Sequence, residues 1–344
     1  MSVALPGALA RYCWSERVAT LYHSEPLARS ARPGRVTRVE RGAVIAMDCA
    51  GHEAPYVPAG PVAVGDWVIL DAERLTAVLP RWSSLDRQDP DTGGVHVLAA
   101  NMDVVLVTVP ADRANATRAE RELTIAWESG ARPVVLLTKS DLAPPGLVEE
   151  LTGRLMGVDV VMTSTESGAG VTEVAALLAP DRTGVLLGPS GSGKSSLTNA
   201  LLGEDRQSTG AVRAEDRRGR HTTTSRHLLA LPGGGAVIDT PGLRSLGLVG
   251  ADHLGRAFPD IDELAQGCRF ADCHHDREPG CAVTAAVTAG TLPSERLASY
   301  RKLAREAAAE RLRADPIERR EARRLWKQRT MDARRYDKRR QPKG

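Results

Sequence analysis

One segment restricts the fold of this 344-residue chain more than any other, because it joins an apolar strand to a helix through a glycine-rich loop. It reads GVLLGPSGSGKSSLTNALLG and contains Gly188-x4-Gly193-Lys194-Ser195. In a phosphate loop of this kind, glycines let backbone amides point at the α- and β-phosphates of a nucleotide, and the helix N-terminus adds its positive end. The lysine reaches the β- and γ-phosphates, and the serine hydroxyl binds Mg²⁺. The segment therefore predicts a nucleotide-binding α/β domain.

The loop supplies most of the predicted nucleotide contacts, with Lys194 also predicted to act in catalysis and Ser195 to bind Mg²⁺. A glycine-rich turn that arose by chance is the alternative, and the four-residue match is expected on the order of once in a hundred chains of this length. The predicted contacts in the loop are Gly188, Pro189, Ser190, Gly191, Ser192, Gly193, Lys194, Ser195 and Ser196.

A second strand end, VIDTPG, follows about 45 residues after the loop. Here Asp239 can hold a water molecule of the Mg²⁺, and the amide of Gly242 can face the γ-phosphate. Taken alone this signal is weak, because a strand that ends in Asp before a Pro-Gly turn is common. Its distance from the phosphate loop makes it a predicted part of the same site.

A third strand end, VVLLTKSDL, carries residues that can read a base. An Asp carboxylate accepts two hydrogen bonds from the N1 and N2 donors of guanine while a Lys stem packs along the ring, and adenine cannot satisfy that pairing. Only six of the 46 basic residues are lysines, and the first 300 residues contain two, one in each motif. The predicted guanine contacts are Thr138, Lys139, Ser140 and Asp141.

Residue patterning divides the chain into five parts. Residues 35–82 alternate β-branched runs with Gly, Pro and Asp, which is typical of a small OB-type β-barrel. Residues 95–250 contain near-continuous apolar strands between helical patterns, which predicts a parallel sheet flanked by helices. Residues 251–312 are predicted to be mainly helical. An N-terminal extension at 1–34 and a basic tail at 313–344, predicted to be an exposed helix or disordered, complete the chain.

Three of the five cysteines and a histidine pair fall within 14 residues. Three thiolates and one imidazole form a closed tetrahedral set suited to one structural Zn²⁺. His274 and His275 are adjacent candidates for the imidazole, and unrelated buried cysteines are the alternative explanation. Cys13 and Cys49 are predicted to be ordinary packed or free thiols. The cluster reads Cys268-x4-Cys273-x-His275-x5-Cys281.

Charge is distributed unevenly along the chain. Residues 301–344 hold 17 Lys and Arg against 7 Asp and Glu, whereas residues 1–300 hold 29 against 36. A basic extension on an acidic body indicates contact with a polyanion. An OB-type barrel, a zinc domain and a basic tail together favour RNA, although barrels also bind proteins, zinc sites often only stabilise folds, and basic helices can be solvated surfaces. The 3% aromatic content favours recognition of RNA backbone and shape over base stacking.

No stretch of the sequence approaches the 18 or so uncharged residues of a membrane helix, and the N-terminus lacks the pattern of a signal peptide. We therefore expect a cytoplasmic protein without a membrane partner. Monomer is the default expectation.

The order of the motifs points to a family. The chain resembles GTPases of the Ras-like superfamily, but the base motif precedes the phosphate loop, with a Ser/Ala base loop expected near residues 163–167. That order resembles a circularly permuted GTPase. Together with the N-terminal barrel and the C-terminal Cys/His cluster, it closely resembles the bacterial family of ribosome small-subunit-dependent GTPases A, over roughly residues 35–310. The fold implied is multidomain α/β, with a circularly permuted Ras-like P-loop domain between an OB-type barrel and a mainly helical zinc-binding domain.

The resemblance also assigns residues. It selects His275 as the fourth zinc ligand and places the Mg²⁺-contacting threonine in the run 222–224, where Thr223 is our choice. Leu243 follows DTPG where Ras has a water-positioning Gln, and an apolar side chain cannot orient water, so His221 becomes the candidate for that role. A solvated His221 is the alternative. Thr138 stands where the motif more commonly has Asn, which predicts weaker affinity for the nucleotide. Asp141 is expected to preserve the selectivity for guanine.

The function implied is GTP hydrolysis to GDP by a late-stage 30S ribosomal subunit assembly factor that binds 16S rRNA, is stimulated by the small subunit and does not act on DNA. Because switch II would run directly into the C-terminal domain, loss of the γ-phosphate could move that domain. A GTP-controlled RNA-binding switch acting on another structured RNA is the alternative. An ATP-using phosphotransferase is a third possibility, and it would need a base pocket without TKSD.

Overall fold

The computed structural model describes residues 7–26, 28, 30–40, 43–88, 94–203, 226–240 and 254–314. Within these residues the chain forms a barrel, a mixed sheet covered by helices and a C-terminal helical region. In the described ranges, eleven strands from the barrel and the central domain belong to one continuous sheet, and two strands form a separate hairpin.

The N-terminal barrel has five strands that close on themselves. The pairs β1–β2, β2–β3, β4–β5 and β1–β4 are antiparallel, and β3–β5 is parallel. This closure confirms the predicted OB-type barrel, with its first strand beginning at Arg32. The strands are β1 (Arg32–Glu40), β2 (Ala43–Asp48), β3 (Glu53–Pro58), β4 (Trp67–Asp71) and β5 (Arg74–Val78).

The alternating faces of β4 explain why the N-terminal segment is folded. Val68 and Leu70 point into the barrel, and Trp67 and Ile69 point out of it, yet all four are buried. The outward pair is covered by a 3₁₀ helix (Gly7–Tyr12) and by α1 (Glu16–His23). The described part of the predicted extension is therefore a packed layer on the barrel. Its buried contacts come from Leu9, Trp14, Val18, Ala19 and Tyr22.

An antiparallel hairpin, β6 (Ser84–Gln88) with β7 (Val95–Ala100), leads into the central domain. The central sheet has the order β10-β9-β8-β11-β13-β12, parallel except for β12. Its elements are β8 (Val104–Pro110), α2 (Ala116–Glu128), β9 (Arg132–Thr138), α3 (Leu147–Arg154), β10 (Asp159–Thr163), α4 (Val171–Leu178), β11 (Thr183–Leu187), α5 (Lys194–Leu202), β12 (His227–Ala230) and β13 (Ala236–Asp239).

The apolar runs of the central strands reflect burial on both faces. In β8, Val104 and Leu106 pack toward α4 and α5, whereas Val105 and Val107 pack toward α2. The sheet continues into the barrel, because Arg38 of β1 pairs with His227 of β12. The barrel and the central domain therefore share main-chain hydrogen bonds.

The C-terminal region is helical, as predicted, and it shares a core with the face of the central domain that α2 covers. Phe258, Ile261 and Leu297 belong to the same buried cluster as Leu123 of α2. Its helices are α6 (Leu254–Ala257), α7 (Pro259–Ala265), α8 (Ala282–Thr288) and α9 (Ser294–Ala314). Across the parts of the chain with described structure, no helix is both long and apolar enough to span a membrane.

Candidate nucleotide site and metal centre

The predicted phosphate loop lies between β11 and α5, at the carboxyl edge of the parallel strands. Gly188 is required by close packing, because a Cβ there would lie 2.0 Å from the Oγ1 of Thr108. Lys194 folds back over the loop, and its Nζ donates to the carbonyl oxygens of Gly188 and Pro189 at 2.8 and 2.7 Å. The ammonium group of Lys194 therefore lies against the backbone of the phosphate loop.

Buried hydroxyl groups connect the phosphate loop to the two neighbouring strand ends. The Oγ1 of Thr108 donates to the Leu187 carbonyl oxygen at 3.0 Å and lies 2.7 Å from the Oγ of Ser192. The Oγ1 of Thr138 donates to the Ser192 carbonyl oxygen at 2.7 Å. Thr138, predicted as a guanine contact, therefore holds the base motif against the phosphate loop. Sequence reasoning missed Thr108, whose only signal is its place in the strand β8.

The base motif leaves β9 through a constrained backbone. Lys139 has a φ of +54°, and its Nζ lies 2.7 Å from the Oδ2 of Asp112. The hydrogen bond from Lys139 holds the pKa of Asp112 below its usual value. Asp141 lies in a one-turn helix (Ser140–Leu142) with its side chain exposed. A carboxylate that is open to solvent in this position is accessible to the edge of a base.

The loop expected at residues 163–167 begins beside the base motif, because Thr163 pairs with Thr138 in the parallel sheet. Thr163 and Ser164 are buried, and the Ser164 Oγ accepts from the Ser167 amide at 3.3 Å. The loop therefore begins beside the base motif, and its contact with a base stays a prediction.

Two of the residues predicted to serve the Mg²⁺ site, Ser195 and Asp239, lie at the same edge of the sheet. Ser195 is in the first turn of α5, and buried Asp239 ends β13, which is parallel to and paired with β11. Thr240 donates to the Leu186 carbonyl oxygen at 3.1 Å and joins the two strand ends. The predicted residues His221, Thr223 and Gly242 lie outside the described residues.

Geometry supports the predicted zinc cluster. Zinc bound tetrahedrally at about 2.3 Å by sulfur and about 2.0 Å by nitrogen separates two sulfurs by about 3.8 Å and sulfur from nitrogen by about 3.5 Å. The Sγ atoms of Cys268 and Cys281 are 3.9 Å apart, and the Nδ1 of His275 lies 3.6 and 3.5 Å from them. All four ligand atoms, with Cys273, lie within 4.8 Å of one another. These four residues therefore fit a zinc ion.

The local backbone explains why His275 joins the cluster and His274 does not. His275 is buried with a φ of +58°, whereas His274 is exposed and its amide donates to Glu278 at 2.9 Å. Glu278 also accepts from the amides of Asp276 and Arg277. Hydrogen bonds from backbone amides, that of Glu278 itself first and that of His274 next, lower its pKa to about 2. A single carboxylate thus orders the ligand loop.

The thiol of Cys281 is suited to act as a thiolate. Burial alone would raise its pKa, but hydrogen bonds from Thr284 and His275 lower it to about 6. Cys281 is also the N-cap of α8, where its Sγ accepts from the Thr284 amide at 3.4 Å. In contrast, burial and the neighbouring thiols raise the pKa of Cys273 to about 11. A bound cation would favour the thiolate at both positions.

Comparison with known proteins agrees with this arrangement. A family model described as RsgA GTPase matches residues 78–249. A relative from Streptomyces coelicolor, named small ribosomal subunit biogenesis GTPase RsgA, is 43% identical and covers 94% of this chain and 93% of its own length. A protein of the same name from Opitutus terrae is 46% identical and covers 90% of this chain and 88% of its own.

Solved structures show the same architecture. The crystal structure of YjeQ from Thermotoga maritima matches with a TM-score of 0.62 and 26% identity, covering 81% of this chain and 99% of that one. The structure of YloQ, described as a circularly permuted GTPase, matches with a TM-score of 0.58 and covers 83% of this chain and 98% of that one. At 23% identity this second match supports the fold.

Proposed function

This chain belongs to the RsgA GTPase family, and we propose that its GTP hydrolysis serves a late step in maturation of the 30S ribosomal subunit. As a member of that family it is an enzyme that converts GTP to GDP and phosphate. The contact between base motif and phosphate loop carries the proposal, with Thr138 Oγ1 2.7 Å from the Ser192 carbonyl oxygen. It brings guanine-reading and phosphate-holding groups to one edge of the sheet.

Each nucleotide-binding group at this edge of the sheet has a role that follows from its chemistry. Asp141 accepts from the guanine N1 and N2 donors, and the Lys139 stem covers the ring. Backbone amides of residues 188–196 hold the phosphates, and Lys194 provides charge for the β- and γ-phosphates. Ser195 and Asp239 are the described residues that would hold Mg²⁺, directly and through water. When bound with GTP, Mg²⁺ neutralises phosphate charge that develops during hydrolysis.

We extend the site to three residues outside the described ranges. Thr223 would complete the Mg²⁺ contacts, the Gly242 amide would face the γ-phosphate, and His221 would position water. A leucine at 243 cannot orient water, so the free protein should hydrolyse GTP slowly until a partner completes the contacts that position the water. The partner is then the activator as well as the target.

The C-terminal cluster would hold one structural zinc ion through Cys268, Cys273, His275 and Cys281. Four protein ligands leave no open coordination position, so the ion would stabilise the fold and take no part in hydrolysis. Its neighbour α9 exposes Lys302, Arg305 and Arg311, and residues 301–344 carry a net charge of +10. These cations suit the phosphate backbone of folded RNA, which we propose is 16S rRNA in the small subunit. The proposed setting is the cytoplasm, and the proposed active form is a monomer.

Steady-state GTP hydrolysis tests this function directly. The purified protein would be assayed alone, with 30S subunits and with 50S subunits at matched concentration and salt. We expect slow turnover alone and strong stimulation by 30S subunits only. Equal stimulation by both subunits, or by neither, would contradict the proposed partner and favour a GTP-controlled switch on another structured RNA.

Two variants tie the activity to this site. Lys194→Ala should reduce hydrolysis on the order of a hundredfold, because it removes a charge aimed at the phosphates. Asp141→Asn should shift preference from GTP toward XTP, because an amide can donate to the carbonyl at position 2 of xanthine. Asp159→Asn is the matched control, since that carboxylate pairs with Arg132 at the opposite end of β9. Preference of the unaltered protein for ATP would refute the role of Asp141.

A further inference from the structure

A short 3₁₀ helix, Ala111–Arg113, follows β8 and touches both halves of the nucleotide site. We refer to it as the bridging turn. Asp112 contacts the base motif through the 2.7 Å bond to Lys139 Nζ. Arg113 contacts the phosphate loop, where its Nη2 donates to the Ser190 carbonyl oxygen at 3.1 Å. Neither residue belongs to a nucleotide-binding motif in the sequence.

The Asp112 contact sets the direction of a flexible side chain. A Lys side chain has a flexible four-carbon stem, so its ammonium group can occupy many positions unless a partner selects one. The backbone of Lys139 is already committed to a left-handed conformation at φ +54°, and the carboxylate of Asp112 fixes the far end of the side chain. The two side chains are 36% and 31% exposed, so a nucleotide can reach the stem between these fixed ends.

The Arg113 contact sits directly against the phosphate loop. A Cβ added at Gly191 would lie 2.7 Å from the Nη2 of Arg113, so the guanidinium occupies the space beside that glycine. Two carbonyl oxygens of the phosphate loop are therefore bonded to neighbouring strand ends. Thr138, at the end of β9, bonds to that of Ser192, and Arg113, after β8, bonds to that of Ser190.

We propose that Asp112 and Arg113 are positioning residues for guanosine di- and triphosphates. Asp112 holds Lys139 where its stem covers the base, and Arg113 holds the phosphate loop at Ser190. The bridging turn thereby sets the spacing between base and phosphate sites before the nucleotide binds. This inference rests on the proposed function and adds two residues to its site.

The test of Asp112 is the affinity for GDP, measured by titration of a fluorescent GDP analogue into the full chain. Asp112→Asn should raise the dissociation constant about fivefold, at the upper end of what a partly exposed ion pair supplies. Asp112→Glu should recover most of that loss. Because the effect acts through Lys139, Asp112→Asn should add nothing in a Lys139→Met background. An additional loss in that background would overturn the mechanism.

Kinetics separate positioning from general stability. Both Asp112→Asn and Arg113→Ala should raise KM for GTP about threefold to fivefold and leave kcat within about twofold, because binding is weakened equally in ground and transition states. Melting temperatures should match that of the Asp159→Asn control. Unchanged KM in both variants would overturn the inference while leaving the proposed function intact. Failure of the unaltered protein to bind GDP would instead remove the proposed function itself.

Discussion

The central domain meets its two neighbours through buried charges of opposite sign. On the barrel side the charge is Arg35 of β1, and on the C-terminal side it is Glu120 of α2. Both side chains are fully buried, but their partners differ in kind. Arg35 bonds to main-chain oxygens and one hydroxyl, whereas Glu120 bonds to two arginines and one hydroxyl.

Arg35 joins three parts of the chain. It donates to the carbonyl oxygens of Tyr12, Gly65 and Asn101, and to the Thr183 Oγ1 at 2.8 Å. Its guanidinium also lies 4.6 Å from the ring centroid of Trp67. Burial lowers the pKa of Arg35, since the charged form loses hydration. Among the described residues, none of its hydrogen bonds goes to a carboxylate.

Glu120 joins three helices instead. It accepts from the Nε of Arg154 in α3 at 2.8 Å, from the Nη1 of Arg296 in α9 at 3.0 Å and from the hydroxyl of Ser299. Arg296 also donates from its Nη2 to the Oδ1 of Asp260 at 2.8 Å, and its Cζ lies 4.3 Å from the ring centroid of Phe258. This interface is an ion-pair network between side chains.

The two interfaces therefore attach the neighbouring domains in different ways. Carbonyl oxygens are present wherever the main chain runs, so the barrel interface depends on the path of three segments and on β1 pairing with β12. The C-terminal interface depends on side chains, namely the Glu120 network and the apolar cluster that Phe258 and Leu297 share with Leu123. We therefore expect the barrel to stay with the central domain under conditions that release the C-terminal domain.

Loss of the proposed zinc site should have a larger effect on these two interfaces than any other change described below. Cys281→Ser or removal of metal by a chelator should unfold the region that carries α9, since a structural zinc ion contributes on the order of 10 kcal/mol to small domains. Hydrogen exchange should then increase in α8 and α9 and stay slow in β1 and β12. Persistent protection of α9 without metal would contradict the proposed role of the cluster.

On the barrel side, Arg35→Met should destabilise the protein by about 4 kcal/mol, because it leaves buried carbonyl groups without donors. Exchange should increase in the N-terminal segment and in β1, and the melting temperature should fall. Arg74→Met, an exposed change in the same barrel, is the control. If both variants melt at the same temperature, Arg35 does not hold this interface.

A smaller effect, about 2 kcal/mol, is expected for Glu120→Gln, which keeps the shape but removes the charge that two arginines share. Exchange in α9 should rise while β1 is unaffected. In the double variant with Arg296→Met the two losses should not add, because they belong to one network. Additive losses would show that Arg296 acts independently of Glu120.

The smallest effect concerns pH at the barrel interface. Burial, and then the positive charge of Arg38, lower the pKa of His227. The unfolded chain therefore binds more protons than the folded protein just below the usual pKa of histidine. The contribution of neutral His227 to the free energy of unfolding is complete above about pH 6.5 and is lost as pH falls through the lowered pKa. Exchange of β12 amides should rise on acidification, and His227→Gln should remove that dependence. A flat profile in the unaltered protein would argue against this linkage.

Several features followed from residues close together in sequence. The phosphate loop needs glycines, a lysine and a serine at fixed spacing between a strand and a helix, and all lie within residues 184–202. The zinc cluster likewise lies within 14 residues, and its geometry agrees with the prediction. The barrel and the parallel sheet were predictable from strand patterning, because alternation and continuous apolar runs report burial on one face or both.

Local sequence thus specified the chemistry of each motif, the order of the motifs and the class of each domain. Tertiary packing determined which distant groups meet, as Arg35 does with Thr183 and Glu120 with Arg296. It also decided that Thr138 binds the phosphate loop and that the bridging turn contacts both motifs. The physical reason is that periodicity and spacing report only neighbours along the chain. Contacts between residues 27 to 176 positions apart depend on how complete elements pack, and no local pattern specifies that.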